Sequence, residues 1–249
     1  MIINNEIRNG NFTSSEIFAI LTEGKTKGTW GKPALTYIDE CNMERRLGRS
    51  LTSESNARPL IWGRVLEEKC FELLGTEYKL CSQTTLQHPD IPYWVGSPDG
   101  VKFDIGGTVI DEKCPMTLKS FCNLVDPLYE GLTGMDAMNK IRETHKDGEK
   151  FYWQLISNGI LTKSKYAELI VYVPYQNELE SIREITQNWA DDPNPVAWIN
   201  FAADCELPYL HEGGYYKNIN IIRFEIPESD KILLTQKVIE AGKMLKTKI

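Results

Sequence analysis

The sequence contains no long apolar run. None of its stretches approaches the roughly 18 consecutive apolar residues that a membrane-spanning helix needs, so we expect no membrane protein. The N-terminal stretch MIINNEIRNG has neither the charged lead-in nor the apolar core of a signal peptide. We therefore expect a protein that stays in the cytoplasm.

Histidine is scarce, and the cysteines are not paired along the sequence. The chain has 3 histidines and 6 cysteines without any Cys-x-x-Cys pair, so we expect neither a zinc site, a histidine-based metal site nor a disulfide framework. Without an export signal, reduced thiols are the simpler expectation.

Basic residues are outnumbered by acidic ones. The chain has 28 lysines and arginines and 35 aspartates and glutamates, which gives a net charge of −7. This excludes a protein that holds nucleic acid by bulk positive charge, but it does not exclude an enzyme with a local basic groove. With 249 residues, of which 41% are hydrophobic, the chain is long enough to bury a full core.

The apolar periodicity predicts one α/β domain with a mixed sheet. The residues from Thr13 to Glu16 resemble a capping box before an amphipathic helix that Gly24 ends. Further helices are expected over 34–47, 58–74, 151–162 and 228–246, and strands over 91–114, 167–174 and 219–226. The expected parts are a helical part (1–80), a sheet core (81–175) and a closing strand and helix (219–249), with less regular segments over 116–150 and 176–218.

Two charged motifs are separated by a turn. The stretch SPDG contains Asp99, the stretch DEKCP contains Asp111, and Gly106-Gly107 lies between two β-prone runs. This pattern favours a hairpin with its turn centred near residue 105. In that register Asp99 lies opposite Asp111, with about 5 Å between their Cβ atoms.

One face of this hairpin would carry two carboxylates and an ammonium. Strand alternation places Lys113 on the face of Asp111 and turns Glu112 to the other face, where only its backbone carbonyl could reach the site. Two close carboxylates repel each other unless a cation lies between them, and oxygen ligands suit Mg²⁺ or Mn²⁺. Such an ion activates water and polarises a phosphodiester. The residues alone leave open a second interpretation, two surface carboxylates with a salt-bridging lysine.

Further motifs occur in the same order along the chain. They are Arg8 with Thr13 to Glu16 (R-x(4)-T-x-S-E), Asn56 to Glu67 (N-A-x-x-x-x-W-G-x-x-x-E), SPDG, D-x-K-C-P, and Trp153-Gln154 at the start of a helix. Together they resemble the lambda-exonuclease-like phage recombination exonucleases of the PD-(D/E)XK nuclease superfamily. The matches cover about residues 8–175.

The resemblance implies an α/β fold with a PD-(D/E)XK nuclease-like core, a mixed central β-sheet flanked by helices. It assigns catalytic or metal-binding roles to Glu67, Asp99, Asp111, Lys113 and Gln154, with Glu112 contributing its backbone carbonyl only. It assigns a pocket for a terminal 5′-phosphate to Arg8 and Ser15. Structural alternatives remain open: a first-turn serine, a chain-end arginine, a solvated carboxylate for Glu67 and a core-edge amide for Gln154.

The sequence departs from the family pattern at two positions. Asp111 stands where relatives mostly have glutamate, and Ile156 stands where they often have a second glutamine. The segment between the DEKCP stretch and Gln154 is also long. These departures bear on metal affinity and substrate range.

Two basic clusters are candidate DNA contacts on this acidic chain. The residues are Lys25, Lys27, Trp30 and Lys32 in a glycine-rich loop, and Arg45, Arg46 and Arg49 near a helix end. The alternative is a solvated loop and a helix C-terminus that favours arginine.

The resemblance implies a Mg²⁺- or Mn²⁺-dependent 5′-to-3′ exonuclease that acts on linear double-stranded DNA and leaves 3′ single-stranded overhangs for phage-type recombination. It implies DNA ends, a single-strand annealing protein and a homotrimer as partners, and the host cytoplasm as the location of a phage-encoded chain. Two alternatives are an endonuclease of the same superfamily and a non-catalytic DNA-binding protein on a decayed nuclease fold.

Overall fold

The structure is a computed structural model that describes residues 5–51, 57–81, 84–189 and 192–248. Its α-helices are α1 (Asn5–Arg8), α2 (Lys32–Leu47), α3 (Arg58–Leu73), α4 (Leu118–Tyr129), α5 (Gly134–Thr144), α6 (Gly148–Thr162), α7 (Leu179–Gln187), α8 (Ala197–Phe201) and α9 (Glu228–Gly242). Its strands are β1 (Phe12–Thr13), β2 (Tyr78–Leu80), β3 (Leu86–Gln87), β4 (Trp94–Gly96), β5 (Gly100–Lys102), β6 (Thr108–Lys113), β7 (Tyr166–Tyr172) and β8 (Ile219–Glu225).

A five-stranded mixed sheet in the order β2-β5-β6-β7-β8 forms the centre of the fold. β6 and β7 are parallel, and the other neighbouring pairs are antiparallel. A parallel pair needs a long crossover, which α4, α5 and α6 provide. A smaller sheet in the order β1-β4-β3 lies beside it.

The central strands are buried on both faces. Val109 packs into one core with residues of α4, α5 and α6, whereas its neighbour Ile110 packs into a second core with residues of α3 and α7. Successive side chains of a strand point to opposite faces, so an apolar run such as that of β6 is explained by helices on both sides.

The predicted hairpin is present in the predicted register. Gly100 pairs with Ile110 and Val101 with Val109, and this register continues to Asp99 beside Asp111. Gly106 and Gly107 have φ values of 95° and 70°, a left-handed conformation that glycine adopts without steric cost.

The predicted capping box is wrong. Thr13 belongs to β1 and pairs with Val95, and a short 3₁₀ helix (Ile17–Leu21) follows in place of an amphipathic α-helix. Pairing with β4 outweighs the local capping signal here. In contrast, α2 ends at Gly48 as predicted, with a left-handed φ of 67°. Among the described helices, none has both the length and the apolar character to cross a membrane.

Candidate active site

Asp111 lies at the centre of the candidate site. It is fully buried on β6, and its Oδ1 accepts a hydrogen bond of 2.6 Å from Gln154 Nε2 on α6. Its Oδ2 lies 2.5 Å from Lys113 Nζ on the same face of the strand. The structure therefore brings together three side chains that the resemblance assigns to one site.

Asp99 joins this group from the start of the neighbouring strand. Its Oδ2 accepts a hydrogen bond of 2.6 Å from the Glu112 backbone N–H. Burial, followed by the nearby Asp111 carboxylate, raises the pKa of Asp99 to about 8, although Lys113 acts in the opposite direction. The two carboxylates thus repel each other in the way that the sequence predicts for a cation site.

Lys113 partly neutralises these carboxylates. Its Nζ lies 2.5 Å from Asp111 Oδ2 and 3.2 Å from the Glu112 carbonyl oxygen, two of the oxygens that the resemblance assigns to a metal ion. Burial lowers the pKa of Lys113, but Asp111 and Asp99 outweigh it and the pKa is raised. The ammonium therefore occupies a position where a positive charge is stabilised, which fits a divalent cation at these oxygens.

Glu112 points away from this group, as strand alternation predicts. Its side chain is buried on the other face of the sheet, where Cys114 Sγ donates a hydrogen bond of 2.8 Å to Oε1. Burial raises the pKa of Glu112 well above its ordinary value. The carboxyl group is therefore part of the second core and does not reach the Asp111 face.

Glu67 is close enough for Asp111 and Lys113 to affect its pKa, but it does not complete a set of metal ligands. Burial raises its pKa, with Asp111 in the same direction and Lys113 and Arg64 against it. Across the described residues, no group of three or more histidine, cysteine, aspartate and glutamate side chains could hold a metal ion. A cation here would depend on Asp99, Asp111 and the Glu112 carbonyl, with Glu67 remaining a predicted ligand.

The surroundings of Glu67 leave space near the site. A Cβ built on Gly63, one helical turn earlier in α3, meets no other atom within 4 Å. The absence of a side chain at Gly63 therefore leaves room beside Glu67 for a metal ion or substrate. Asn56, the first residue of the matching motif, lies outside the described residues.

Arg8 and Ser15 line one cleft of about 940 Å³, together with Lys32. Arg8 Nη1 donates a hydrogen bond of 2.9 Å to Ser97 Oγ, two residues before Asp99. This contact connects the cleft to the carboxylate site. Ser97 belongs to the SPDG motif, but its contact with Arg8 was not predicted.

The predicted basic clusters are only partly available as contacts. Lys25, Lys27, Arg46 and Arg49 are exposed, and Lys32 is exposed at the start of α2. Trp30 is partly buried against the core, and Lys237 Nζ lies 5.1 Å from its ring centroid. Its role as a DNA contact stays a prediction.

Arg45 makes three hydrogen bonds within the fold. Its Nε donates to the Gly10 carbonyl (2.6 Å), its Nη1 to the Lys246 carbonyl (3.0 Å) and its Nη2 to Asn11 Oδ1 (2.9 Å). All three nitrogens therefore hold chain segments together, and a contact of Arg45 with DNA stays a prediction.

Two exonucleases of known structure are similar to this chain over almost its whole length. LHK-Exo, an alkaline exonuclease of Laribacter hongkongensis solved in complex with dAMP, is 15% identical; the match covers 96% of this chain and 90% of that one, with a TM-score of 0.58. The phage-related exonuclease of Haemophilus somnus 129PT is 14% identical; the match covers 94% of this chain and 92% of that one, with a TM-score of 0.61. This chain has the fold of these exonucleases.

The structural similarity confirms the predicted fold class, an α/β fold with a mixed central β-sheet flanked by helices. No family model matches the sequence, and no curated protein matches it. At these identities the similarity establishes the fold alone.

Proposed function

We propose that this chain is a metal-dependent deoxyribonuclease, and specifically a 5′-to-3′ exonuclease on linear double-stranded DNA. The observation that carries the proposal is the group formed by Asp99, Asp111, Lys113 and Gln154 on an exonuclease fold. An arbitrary surface hairpin would expose its carboxylates to water, whereas this Asp111 is fully buried and hydrogen-bonded.

The residues of the site have three different roles in the proposed reaction: metal binding, orientation of a ligand, and charge stabilisation. Asp99, Asp111 and the Glu112 carbonyl would hold Mg²⁺ or Mn²⁺, which polarises a phosphodiester and lowers the pKa of a bound water. Gln154 fixes the orientation of Asp111 through its 2.6 Å hydrogen bond. Lys113 supplies a positive charge that stabilises the extra negative charge on phosphate in the transition state.

The cleft that contains Arg8, Ser15 and Lys32 supports the proposed direction of cleavage. A guanidinium and an ammonium recognise a terminal phosphate by charge-assisted hydrogen bonds. Because Arg8 contacts Ser97, a phosphate bound there would hold the 5′ end near Asp99. Digestion of that strand would leave a 3′ single-stranded overhang.

The same proposal includes the partners that the resemblance implies. They are duplex DNA ends, a single-strand annealing protein and two further copies of this chain in a homotrimer, with host cytoplasm as the location of a phage-encoded enzyme. Recombination is the process that consumes such overhangs.

Digestion of end-labelled linear duplexes and covalently closed circles tests the proposal. We expect Mg²⁺-dependent loss of 5′-terminal nucleotides from linear DNA, no cleavage of circles, and no reaction with chelator. Cleavage of closed circles would instead indicate an endonuclease. Binding without cleavage in either metal would indicate a non-catalytic DNA-binding protein, and Asp111→Asn serves as the inactive control.

A further inference from the structure

Positive charge gathers where the segment after α9 packs against the end of α2. The two stretches concerned, 40–50 and 240–248, contain six basic and three acidic residues on a chain whose net charge is −7. The basic residues are Arg45, Arg46, Arg49, Lys243, Lys246 and Lys248, and the acidic ones are Glu40, Glu44 and Glu240. The three lysines are exposed, and we call them, together with Arg45, the basic surface.

Hydrogen bonds to α2 hold the segment 243–248 in place. Asn42 Nδ2 donates to the Met244 carbonyl (3.1 Å), and Asn42 Oδ1 accepts from the Lys246 N–H (2.7 Å). Arg45 Nη1 donates to the Lys246 carbonyl (3.0 Å). Because all three bonds use the backbone of the segment, they fix its course along α2 without engaging the lysine side chains.

The basic surface is more strongly influenced by its own arginine than by the carboxylate beside it. Glu44 precedes Arg45, and its carboxylate accepts hydrogen bonds from the backbone N–H groups of Gly10 (2.7 Å) and Leu51 (3.0 Å). Burial, followed by the Arg45 guanidinium, lowers the pKa of Lys248, although Glu44 acts in the opposite direction. The positive charges at this place are therefore not balanced from within the chain, and an anion beside Lys248 would be stabilised.

The basic surface adjoins the cleft of Arg8 and Ser15. Arg45 Nε donates to the Gly10 carbonyl (2.6 Å) and Arg45 Nη2 to Asn11 Oδ1 (2.9 Å), so Arg45 lies beside residues that closely follow Arg8. Asn11 itself lines the cleft. Duplex DNA carries one negative charge per about 1.7 Å of helix axis, so a duplex that begins in the cleft presents further phosphates within a few base pairs.

We propose that the basic surface binds the phosphate backbone of the duplex whose 5′ end lies in the cleft of Arg8 and Ser15. This proposal rests on the proposed function, since that function places a DNA end in the cleft. Continuity with the cleft favours DNA over an anionic membrane as the occupant. Contacts to phosphates are independent of base sequence, and they would hold the duplex while its terminal nucleotides are removed.

The salt dependence of DNA binding tests the proposal. Fluorescence anisotropy of a labelled 5′-phosphorylated duplex, in chelator to prevent cleavage, gives Kd over a range of about 50 to 200 mM salt. We expect Lys246→Gln/Lys248→Gln to raise Kd by about fivefold or more and to reduce the slope of log Kd against log salt concentration by about 2, because each lost phosphate contact removes about one released counterion. Lys246→Arg/Lys248→Arg keeps both charges and should bind as the wild type does.

Lys163→Gln/Lys165→Gln is the matched control, because it removes the same charge from two other exposed lysines. Lys163 lines a cleft with residues of the first turn of α9, whereas the basic surface follows the last turn of that helix. The control should leave Kd and the salt slope unchanged. All three double variants should keep the wild-type melting temperature, because exposed side chains contribute little to stability.

Several outcomes would overturn the basic surface as a DNA contact. One is an unchanged Kd and salt slope for Lys246→Gln/Lys248→Gln, and another is an equal loss in the control. Unchanged DNA binding by that variant, with loss of binding to phosphatidylserine-containing vesicles, would assign the surface to a membrane instead.

Cleavage of linear duplex in Mg²⁺ by the wild type, measured in parallel, separates this proposal from the proposed function. If the wild type cleaves and Lys246→Gln/Lys248→Gln binds DNA normally, the nuclease function stands and the basic surface fails. If the wild type binds with the expected salt dependence but does not cleave, the DNA contact stands and the nuclease function fails. Absence of duplex binding by the wild type would overturn both.

Discussion

Lys113 is the residue on which the charge balance of the site depends. Two aspartates and Glu67 influence one another electrostatically, and each has a raised pKa because burial penalises its charged form. The single ammonium, held 2.5 Å from Asp111, opposes that effect at all three carboxyl groups. The site thus concentrates negative charge that one lysine compensates only in part.

The two acidic neighbours on β6 should differ sharply in their effect on activity. We expect Asp111→Asn to lower the Mg²⁺-dependent cleavage rate by on the order of 100-fold or more, because it removes a charged oxygen from the site. Glu112→Gln, one residue away but on the other face, should stay within about threefold of the wild type. Initial rates on linear duplex, with circular dichroism to check folding, measure both. An inactive Glu112→Gln beside an active Asp111→Asn would contradict the strand register.

Arg8 should determine the preference for phosphorylated ends. We expect Arg8→Ala to bring the ratio of cleavage rates on 5′-phosphorylated and 5′-hydroxyl duplexes close to one, because the guanidinium that binds the phosphate is lost. The exposed Arg46, at the last turn of α2, gives a matched control. Arg46→Ala should leave the ratio as in the wild type; a ratio unchanged in Arg8→Ala would remove the cleft from the proposed mechanism.

At the level of elements, α6 determines where Gln154 lies relative to Asp111. It packs on β6 and brings Gln154 to Asp111. Its first residue, Gly148, packs closely against the backbone of α5. A Cβ at Gly148 would overlap the Ile141 carbonyl oxygen, which is backbone and cannot rotate away. The direction of α6 therefore depends on a glycine at this position.

Gly148→Ala should destabilise the protein by about 2 kcal/mol, because the added methyl group forces the two helices apart. The same substitution at Gly63, inside α3 with open space around it, should stabilise by about 0.5–1 kcal/mol through helix propensity. Urea unfolding measures both changes. Equal stability of Gly148→Ala and the wild type would show that this contact can relax.

At the scale of the whole molecule, the buried carboxyl groups couple stability to pH. The unfolded chain releases the Asp99 proton near its ordinary pKa of 3.8, whereas the folded chain retains it up to a pKa of about 8. The metal-free protein therefore loses stability as pH rises across this interval. Bound divalent cation should oppose the loss.

In chelator, the melting temperature of the wild type should fall by roughly 5 °C or more between about pH 5 and pH 9 relative to Asp99→Asn, which has no proton to release. Adding Mg²⁺ at the higher pH should raise the wild-type value more than that of Asp99→Asn. Asp39→Asn, at an exposed position in α2, is the control and should behave as the wild type. Parallel pH profiles for the wild type and Asp99→Asn would contradict the raised pKa.

Local patterns were sufficient for much of the fold and for the centre of the site. The double glycine and the β-prone runs predicted the hairpin, and strand alternation then separated Glu112 from Asp111 and Lys113. The ends of α2 and α3 were predicted to within one residue because a glycine, Gly48 or Gly75, follows each. These features depend on residues that are close in sequence, whose preferred geometry is the same in most folds.

Contacts between distant parts of the chain could not be predicted in this way. Arg8 meets Ser97, which is 89 residues away, and Gln154 meets Asp111, which is 43 residues away; motif resemblance suggested the groups but not the contacts. Thr13 joins a strand in place of a helix cap, and Arg45 donates to two backbone carbonyls and to Asn11; these partners come close only when the chain folds.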